Sequence, residues 1–383
     1  MRRLRTDTAI VGIGQTEFSK NSGRSELQLA LEASSAAIAD AGLTPRDIDG
    51  IVTFDSDAND ELELIAGLGM PELRWVSRTV RGGMGSGSCV HQAAVAVASG
   101  AVNNVLVFRA FNERSGRRFG QPMGRAFNPA MNWHVPYGLD TPAKIYGLWF
   151  QRYMATYGLT NEDFGRYTVA ARKYASTNPN AWFYNRPITL EDHQSSRWIV
   201  EPVLRLLDCC QESDGGVALV VTSAERARDL DTTGVRIAAV DTSHMQGGDI
   251  MFEYYRPDSA SYPEAGSLGR HLFEAAGITP DDADVAMIYE NFSPFVFLQL
   301  EAYGFCGPGE AASFIAEGNI DIDGKLPVNT NGGLLGEAYI HGVNLVIEAV
   351  RQVRGTAANQ VADVEHAMMG VGRSGMILAR LAD

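Results

Sequence analysis

Short apolar runs alternate with amphipathic segments in the first part of the chain. The run at 6–14 predicts a buried strand, and the hydrophobic periodicity of 25–41 predicts a helix. A second short strand is expected at 51–54. A glycine cluster then leads into an Ala/Val-rich segment, 89–99, which predicts a buried helix followed by a strand at 104–109. This order of elements predicts a parallel α/β sheet.

The same order of elements returns later in the chain with different residues, which suggests an old duplication. A charged stretch at 225–233 is the expected junction, so we divide the chain into an N-terminal half, 1–230, and a C-terminal half, 231–383. The later elements are predicted as strands at 217–222, 235–240 and 285–289, helices at 266–276 and 342–353, and a terminal hairpin or strand pair at 366–379.

Residues 112–205 differ from both halves, because they are rich in Arg, aromatic residues and Asn-Pro pairs. Helices are predicted at 143–157 and 162–176. We interpret this segment as an insertion in the N-terminal half that covers one face of the sheet.

Composition excludes several classes of protein. A net charge of −14 argues against a general nucleic-acid surface, so a phosphate-bearing ligand must be bound by local Arg residues. No apolar run approaches the length of a membrane span, and neither the four cysteines nor the seven histidines have metal-site spacing. We therefore expect a cytoplasmic protein without a metal or cofactor.

Two familiar motifs are absent. Gly12-Ile13-Gly14 follows the first strand, but Glu17 replaces the third glycine of a dinucleotide fingerprint, where its charge would repel a pyrophosphate. The serines between Gly83 and Ser88 have the wrong spacing for a G-x-S-x-G nucleophile elbow. Dinucleotide-dependent and serine-hydrolase chemistry are therefore not expected.

Two glycine loops, one in each half, lie between a predicted strand and a predicted helix. Free backbone N–H groups and a helix N-terminus at such a place favour developing negative charge, although tight turns alone would also explain the glycines. Finding both loops at matching places favours a composite site where the halves meet. The candidate oxyanion residues are Gly82, Gly83, Gly85, Gly332 and Gly333.

Two tyrosines complete this candidate site. Tyr289 ends a predicted strand, and Tyr339 follows the second glycine loop. Asn291 and His341 lie beside them and can donate hydrogen bonds, although holding loops would also explain both residues. A tyrosine has an ordinary pKa of about 10, so a phenolate base would need nearby positive potential.

Nearly the whole chain resembles the thiolases, specifically the sterol-carrier-protein thiolase branch. The most specific segments are 184–192, 206–216, 278–282 and 327–336. The resemblance implies an α/β thiolase fold, in which two similar βαβ halves form five layers, αβαβα, with a loop insertion.

The departures from the thiolase pattern decide the expected chemistry. Gly83 occupies the position of the nucleophilic cysteine, Cys89 lies about two helical turns further on, and Met368 replaces the second cysteine. Tyr289 and Tyr339 stand where the family has its other catalytic residues. Thiolysis needs a thiolate, whereas retro-aldol cleavage needs a base, an oxyanion site and an acid, which the tyrosines and glycine loops supply. The sequence leaves open which tyrosine is the base.

With two tyrosines, the chain resembles the actinobacterial steroid side-chain-cleaving aldolases. The resemblance implies that a 17-hydroxy steroid with a C22-CoA side chain is cleaved to a 17-keto steroid and propionyl-CoA. It also implies a homodimer and a complex with a small OB-fold, zinc-ribbon partner joined to an enoyl-CoA hydratase. Four arginines of the insertion are candidate contacts for CoA phosphates or for the partner: Arg114, Arg117, Arg118 and Arg125.

Two alternatives remain open at this point. One is a non-catalytic, thiolase-like protein that binds acyl-CoA or lipid or acts as a scaffold. The other is a related aldolase or Claisen-type enzyme with a non-steroid acyl-CoA substrate. Residues that can line an apolar pocket, but that are more often part of a core, are Phe292, Phe295, Phe297, Met245 and Met251.

Overall fold

The structure is a computed structural model that describes residues 7–80, 82–122, 132–230, 232–248, 251, 256–258 and 260–382. Its strands are β1 Thr8–Gln15, β2 Gly50–Phe54, β3 Trp75–Thr79, β4 Val105–Asn112, β5 Trp198–Val200, β6 Leu204–Arg205, β7 Asp214–Ser223, β8 Val235–Thr242, β9 Val285–Ile288, β10 His366–Gly370 and β11 Ser374–Arg380. Its helices are α1 Glu26–Asp40, α2 Glu61–Leu68, α3 Ser86–Ala98, α4 Pro142–Tyr157, α5 Asn161–Thr177, α6 Leu190–Ser195, α7 Ala224–Asp229, α8 Pro263–Ala276, α9 Pro294–Tyr303, α10 Ala311–Ala316, α11 Gly333–Gly336 and α12 Val343–Arg354.

The main sheet is mixed, so the prediction of a parallel sheet is wrong. Its strand order is β3-β2-β4-β7-β1-β8-β11-β10-β9, with β1 and β8 joining the two halves. The β3-β2-β4 and β9-β10 pairs are parallel, as expected for strands linked by helices. The β7 strand, which follows the insertion, pairs antiparallel with both β4 and β1, and β10-β11 is a hairpin.

The helices form the outer and central layers of a thiolase fold. Helix α1 packs on the outer face of β1, β4 and β7, and α8 packs on the outer face of β8 and β11. Helices α3 and α12 contact strands of both halves and therefore lie between them. Because α12 is surrounded in this way, nearly all of its side chains are buried. The strands of the two halves therefore form two β layers on either side of α3 and α12, although β1 and β8 join them into one sheet. This arrangement confirms the five-layered αβαβα fold.

The Gly12-Ile13-Gly14 motif serves helix packing. A Cβ atom at Gly12 or Gly14 would overlap the backbone of α1, so the glycines let α1 lie directly on β1. Helix α1 begins at a conventional cap, where the Ser25 hydroxyl accepts from the Gln28 N–H at 3.1 Å. The motif thus has a structural role that does not require a nucleotide.

The insertion contains α4, α5, α6 and the small β5-β6 sheet. It packs mainly on helices of the C-terminal half rather than on the face of its own sheet, because α5 lies against α10 and α11. The aromatic side chains of α4 contact Phe292 and Phe295. These phenylalanines and Phe297 are buried in this core, whereas Met245 is largely exposed. The structure therefore supports a core role for these three phenylalanines rather than a place in the lining of a pocket.

Several elements were not predicted from the sequence: β3, β5, β6, α2, α6, α7, α9, α10 and α11. Strand β3 is partly exposed at the edge of the sheet, so it lacks the apolar run of a central strand. Helix α9 is apolar on all sides, which removes the periodicity that identifies a surface helix. Among the described residues, no helix has both the length and the apolarity needed to cross a bilayer.

Candidate active site

Two tyrosine hydroxyls meet where the halves of the molecule join. Tyr289 directly follows β9, and its N–H donates to the Gly370 carbonyl at 2.8 Å. Tyr339 follows α11, and its N–H donates to the Ser213 hydroxyl at 3.2 Å. The two phenolic oxygens lie 2.8 Å apart and share a hydrogen bond in a buried environment. The structure therefore brings the two predicted catalytic tyrosines into direct contact.

Gly83 lies against this pair. A Cβ atom at Gly83 would overlap the Tyr289 hydroxyl and would lie 2.9 Å from the hydroxyl oxygen of Tyr339. The space that a cysteine side chain would need is therefore filled by the tyrosine oxygens. A cysteine at position 83 and the hydroxyl of Tyr289 therefore cannot both fit in this arrangement.

Both tyrosines are held in the neutral form. Burial raises the pKa of Tyr289 well above its usual value, and the neighbouring Tyr339 raises it further. Burial also raises the pKa of Tyr339, with further contributions from Cys210 and Glu113. A preformed phenolate is therefore disfavoured, and any proton that leaves one hydroxyl must be replaced as it moves.

His341 stands beside the pair, as predicted. Its ring centroid lies 5.3 Å from that of Tyr339, and its Nδ1 accepts a hydrogen bond from the Arg109 Nε–H at 3.2 Å. Burial, followed by the charge of Arg109, lowers the pKa of His341 well below its ordinary value. The imidazole is therefore neutral at physiological pH, with its proton on Nε2.

Asn291 lies two residues after Tyr289 and is partly buried. Its backbone carbonyl accepts from the Cys210 N–H at 3.0 Å, which ties the two loops together. Its buried side-chain Oδ1 has no hydrogen-bond partner among the described residues. An unpaired buried amide next to the site suits a ligand contact, because such a group is costly to leave unsatisfied.

The first glycine loop forms a short 3₁₀ turn, Gly82–Gly85, that runs directly into α3. Gly85 occupies the N-cap of α3 and has no side chain that could bond the first-turn N–H groups. The Ser86 hydroxyl is also buried without a partner among the described residues. This helix end therefore remains able to favour negative charge, as predicted for Gly82, Gly83 and Gly85.

The second glycine loop does not have the predicted role of an oxyanion site. The Gly332 N–H donates to the Asn329 carbonyl at 2.8 Å, and the Gly333 N–H donates to the Asn331 side chain at 3.0 Å. The next N–H, of Leu334, bonds the Glu290 carboxyl at 2.7 Å. Because these donors are used within the protein, Gly332 and Gly333 shape the loop and do not offer an oxyanion site.

Two groups near the tyrosines were not predicted from the sequence, the buried Glu113 and the partly buried Cys210. Burial raises the pKa of the Glu113 carboxyl well above its usual value, and one of its oxygens has no partner among the described residues. Burial also keeps the Cys210 thiol protonated by raising its pKa. Glu113 belongs to no motif, and Cys210 lies in the family segment 206–216 without a predicted role. Only the fold brings the two residues near Tyr339.

The positions of the remaining sulfur atoms argue against a replacement nucleophile. Cys89 is fully buried in α3, its Sγ lies 2.9 Å from the Thr79 hydroxyl, and burial raises its pKa to about 12. Met368, at the second cysteine position, is buried in β10. A thiolate is the reactive form of cysteine, and a pKa this high suppresses it.

The candidate arginines lie on the exposed turn after β4. Arg114 and Arg118 approach the Glu212 carboxyl at 3.9 and 2.7 Å, and Arg117 is exposed. Arg125 lies outside the described residues. The turn is close to the site, because Phe119 stacks on His341 with centroids 5.1 Å apart. Among the described residues, no cluster of three or more His, Cys, Asp or Glu could hold a metal.

Known proteins share this architecture and sequence. Residues 254–380 match the family described as Thiolase C-terminal domain-like. The chain is 54% identical over 380 residues to a steroid side-chain-cleaving aldolase of Thermomonospora curvata, covering 97% of both chains. It is 52% identical over 385 residues to a 17-hydroxy-3-oxo-4-pregnene-20-carboxyl-CoA lyase of Mycobacterium tuberculosis, covering 98% of this chain and all of the other.

A solved structure described as Ltp2-ChsH2(DUF35) aldolase superimposes with a TM-score of 0.95 at 52% identity, covering 99% of both chains. This likeness extends over the insertion and both halves, so it concerns the whole fold. The chain therefore belongs to the steroid side-chain-cleaving aldolase branch of the thiolase superfamily.

Proposed function

We propose that this protein cleaves the Cα–Cβ bond of a β-hydroxyacyl-CoA by a retro-aldol reaction that uses no cysteine nucleophile. The contact that carries the proposal is the 2.8 Å hydrogen bond between Tyr289 and Tyr339, next to a glycine where thiolases have their nucleophile. The aldolase and lyase names of the relatives support the reaction class.

The proton balance of the reaction fits a pair of neutral hydroxyls. Cleavage requires the β-hydroxyl to lose its proton as its oxygen becomes a ketone, while the electrons of the broken bond form a thioester enolate. The α-carbon of that enolate then gains a proton. One tyrosine can accept the first proton as it passes its own to the second tyrosine, which protonates the α-carbon. The pair ends neutral, as it began.

The enolate oxygen needs hydrogen-bond donors while the bond breaks. The neutral His341 can donate from Nε2, and the uncapped N-terminus of α3 after Gly85 favours the same negative charge. Asn291 cannot serve this oxygen through its unpaired Oδ1, which is an acceptor, but Oδ1 can accept a hydrogen bond from the substrate at the edge of the site. These groups act on the reacting atoms directly, so the reaction requires no additional cofactor.

The substrate that we propose is a 17-hydroxy steroid with a C22-CoA side chain, giving a 17-keto steroid and propionyl-CoA. The name of the Mycobacterium tuberculosis relative supports this choice over a non-steroid acyl-CoA. Arg114, Arg117 and Arg118 lie on the turn beside the site and are proposed to contact CoA phosphates. Arg125 is carried over as a further candidate.

Product analysis tests the reaction. Incubation with the proposed steroid-CoA should release the 17-ketone and propionyl-CoA in equal amounts, and mass spectrometry of the protein during turnover should find no acyl adduct. An acyl group on any residue would contradict the cysteine-free mechanism. A bound but unchanged substrate, with and without the partner, would instead favour a non-catalytic acyl-CoA-binding protein.

The activity should be insensitive to pH through the neutral and mildly alkaline range. The raised pKa values of Tyr289 and Tyr339 keep both hydroxyls protonated up to pH values above the ordinary pKa of about 10. We therefore expect kcat/KM to stay nearly constant between about pH 7 and about pH 9 and to fall only at higher pH. A tenfold rise per pH unit in this range would show that a phenolate must form first.

Two exposed apolar surfaces fit the proposed assembly. Strand β3 lies at the edge of the sheet and has no partner strand on its outer side among the described residues. Val76 of β3 and Val80 directly after it are 52% and 61% exposed, and we propose that this edge pairs with a second copy of the chain. Trp133 and Tyr137 of the insertion are 78% and 83% exposed, and we propose that they bind a DUF35-type OB-fold, zinc-ribbon partner joined to an enoyl-CoA hydratase. The DUF35 name in the matched structure supports such a complex.

Two double variants separate these surfaces. Val76→Arg with Val80→Arg should convert the dimer to a monomer in light scattering. Trp133→Ala with Tyr137→Ala should leave the dimer intact but abolish co-purification with the DUF35-type partner. Each variant is the control for the other, and loss of partner binding only in the β3 variant would reverse the assignment.

A further inference from the structure

A buried ion pair lies behind His341. Arg109 is in β4 and only 1% exposed, and its Nη1 donates to the Asp57 carboxylate at 2.6 Å. Asp57 also accepts from the Asn59 N–H at 2.9 Å, which fixes the loop after β2. Replacing such a pair with apolar residues is often neutral for stability, so stability alone does not explain its presence.

The same arginine determines where His341 carries its proton. A guanidinium has N–H donors but no acceptor, and it stays charged at all relevant pH values. Because Arg109 Nε–H points at His341 Nδ1 at 3.2 Å, Nδ1 must present a lone pair. The proton of the neutral ring is then on Nε2.

The orientation of the ring is also fixed. Its centroid lies 5.6, 5.0 and 5.1 Å from those of Phe54, Phe111 and Phe119. The backbone of His341 adopts a left-handed φ of 50°, which costs energy for a residue with a side chain. Among the described residues, no group accepts a hydrogen bond from Nε2. A strained, oriented donor without a protein acceptor suits a ligand.

We propose that Arg109 and Asp57 are positioning residues that hold His341 as a neutral Nε2–H donor for the thioester enolate oxygen. This inference rests on the proposed retro-aldol function and assigns two residues to it that lie outside its catalytic set. Arg109 supplies the donor that fixes the tautomer, and Asp57 balances the charge of Arg109 so that the guanidinium stays in place.

The surrounding charges agree with this assignment. The titratable groups around the ring are Arg109, Asp57 and Tyr339, and Cys89 lies close to Arg109. Burial and then Arg109 lower the pKa of His341, so an imidazolium is disfavoured. A neutral donor also leaves the nearby proton transfers between the tyrosines undisturbed, whereas an imidazolium would compete as an acid.

Nitrogen NMR of the whole protein labelled with ¹⁵N-histidine tests the tautomer without relying on activity. The His341 signals are identified by their loss in His341→Asn. We expect N–H at Nε2 and an unprotonated Nδ1, with shifts that stay constant from about pH 5.5 to about pH 8. A proton on Nδ1, or titration within this range, would overturn the proposal. If the tautomer is as expected but no ketone is released, the proposed function fails instead.

Arg109→Gln tests the positioning role. The variant should lose about 10²-fold in kcat with little change in KM, the size expected for loss of one enolate donor. The unpaired Asp57 should raise the pKa of His341, so the loss should be greater at acidic pH. Arg354→Gln is the matched control, because Arg354 forms a 2.7 Å ion pair with Asp40 far from the site.

Two further variants keep this test decisive if Arg109→Gln does not fold. Asp57→Asn with Arg109→Gln removes the unpaired carboxylate and should give a mixed tautomer and low kcat. Arg109→Lys keeps the charge and should recover part of the lost kcat. A folded variant without Arg109 that keeps the Nε2–H tautomer and wild-type kcat would refute the positioning role.

Discussion

Replacing either Tyr289 or Tyr339 with Phe should lower kcat/KM by at least ~10²-fold, because each change breaks the proton path at one hydroxyl. The effect should fall on kcat, while KM and the affinity for a non-cleavable acyl-CoA analogue stay close to wild type. The double variant should lose little more than either single variant, since the two hydroxyls act as one unit. Steady-state kinetics and calorimetric binding measure both quantities.

Tyr174→Phe provides a matched control for these variants. The Tyr174 hydroxyl is buried and donates to the Ile320 carbonyl at 2.9 Å in another part of the fold. Its removal should cost about 1 kcal/mol of stability without a loss of turnover. If Tyr289→Phe and Tyr339→Phe both turn over like Tyr174→Phe, the tyrosine pair is not the acid and base.

Several strands and helices were predictable because their signals are local. The apolar runs of β1 and β4 and the periodicity of α1 and α5 each lie within one segment. Strand direction was not predictable from the same runs. It depends on which strands become neighbours in the folded sheet, and a strand buried on both faces has the same apolar composition in either direction.

The site was predictable where a residue could be placed by its position in a motif. Tyr289, Tyr339 and Gly83 followed from the thiolase pattern, and the structure places them in contact. The roles of Arg109 and Asp57 could not be predicted in this way. Arg109 lies 232 residues from His341 in the chain and has the sequence context of an ordinary strand residue. The predicted oxyanion role of the second glycine loop was wrong for a related reason. Gly333 makes room for the Glu290 carboxyl, which accepts the N–H of Leu334, and Gly332 makes room for Ala175 of α5.

The steric link between Gly83 and Tyr289 gives the second large prediction. A methyl group at Gly83 overlaps the Tyr289 hydroxyl and crowds that of Tyr339, so Gly83→Ala must displace the pair. We expect kcat/KM to fall at least ~10²-fold and stability to fall by about 1–3 kcal/mol, the usual cost of overpacking. Gly83→Cys meets the same overlap, so restoring the thiolase sulfur should abolish cleavage without creating thiolase activity. Thermal unfolding and assays of both reactions measure these effects.

A double-mutant cycle separates this contact from a general intolerance of the loop. Adding Tyr289→Phe to Gly83→Ala removes the overlapping oxygen, so the double variant should be more stable than Gly83→Ala alone while remaining inactive. Gly266→Ala in α8 is the control, because a Cβ there meets its nearest neighbour at an ordinary 3.4 Å. If the double variant is no more stable than Gly83→Ala, the Tyr289 hydroxyl is not what excludes a side chain at position 83. The absence of the cysteine would then need a cause other than the tyrosine pair.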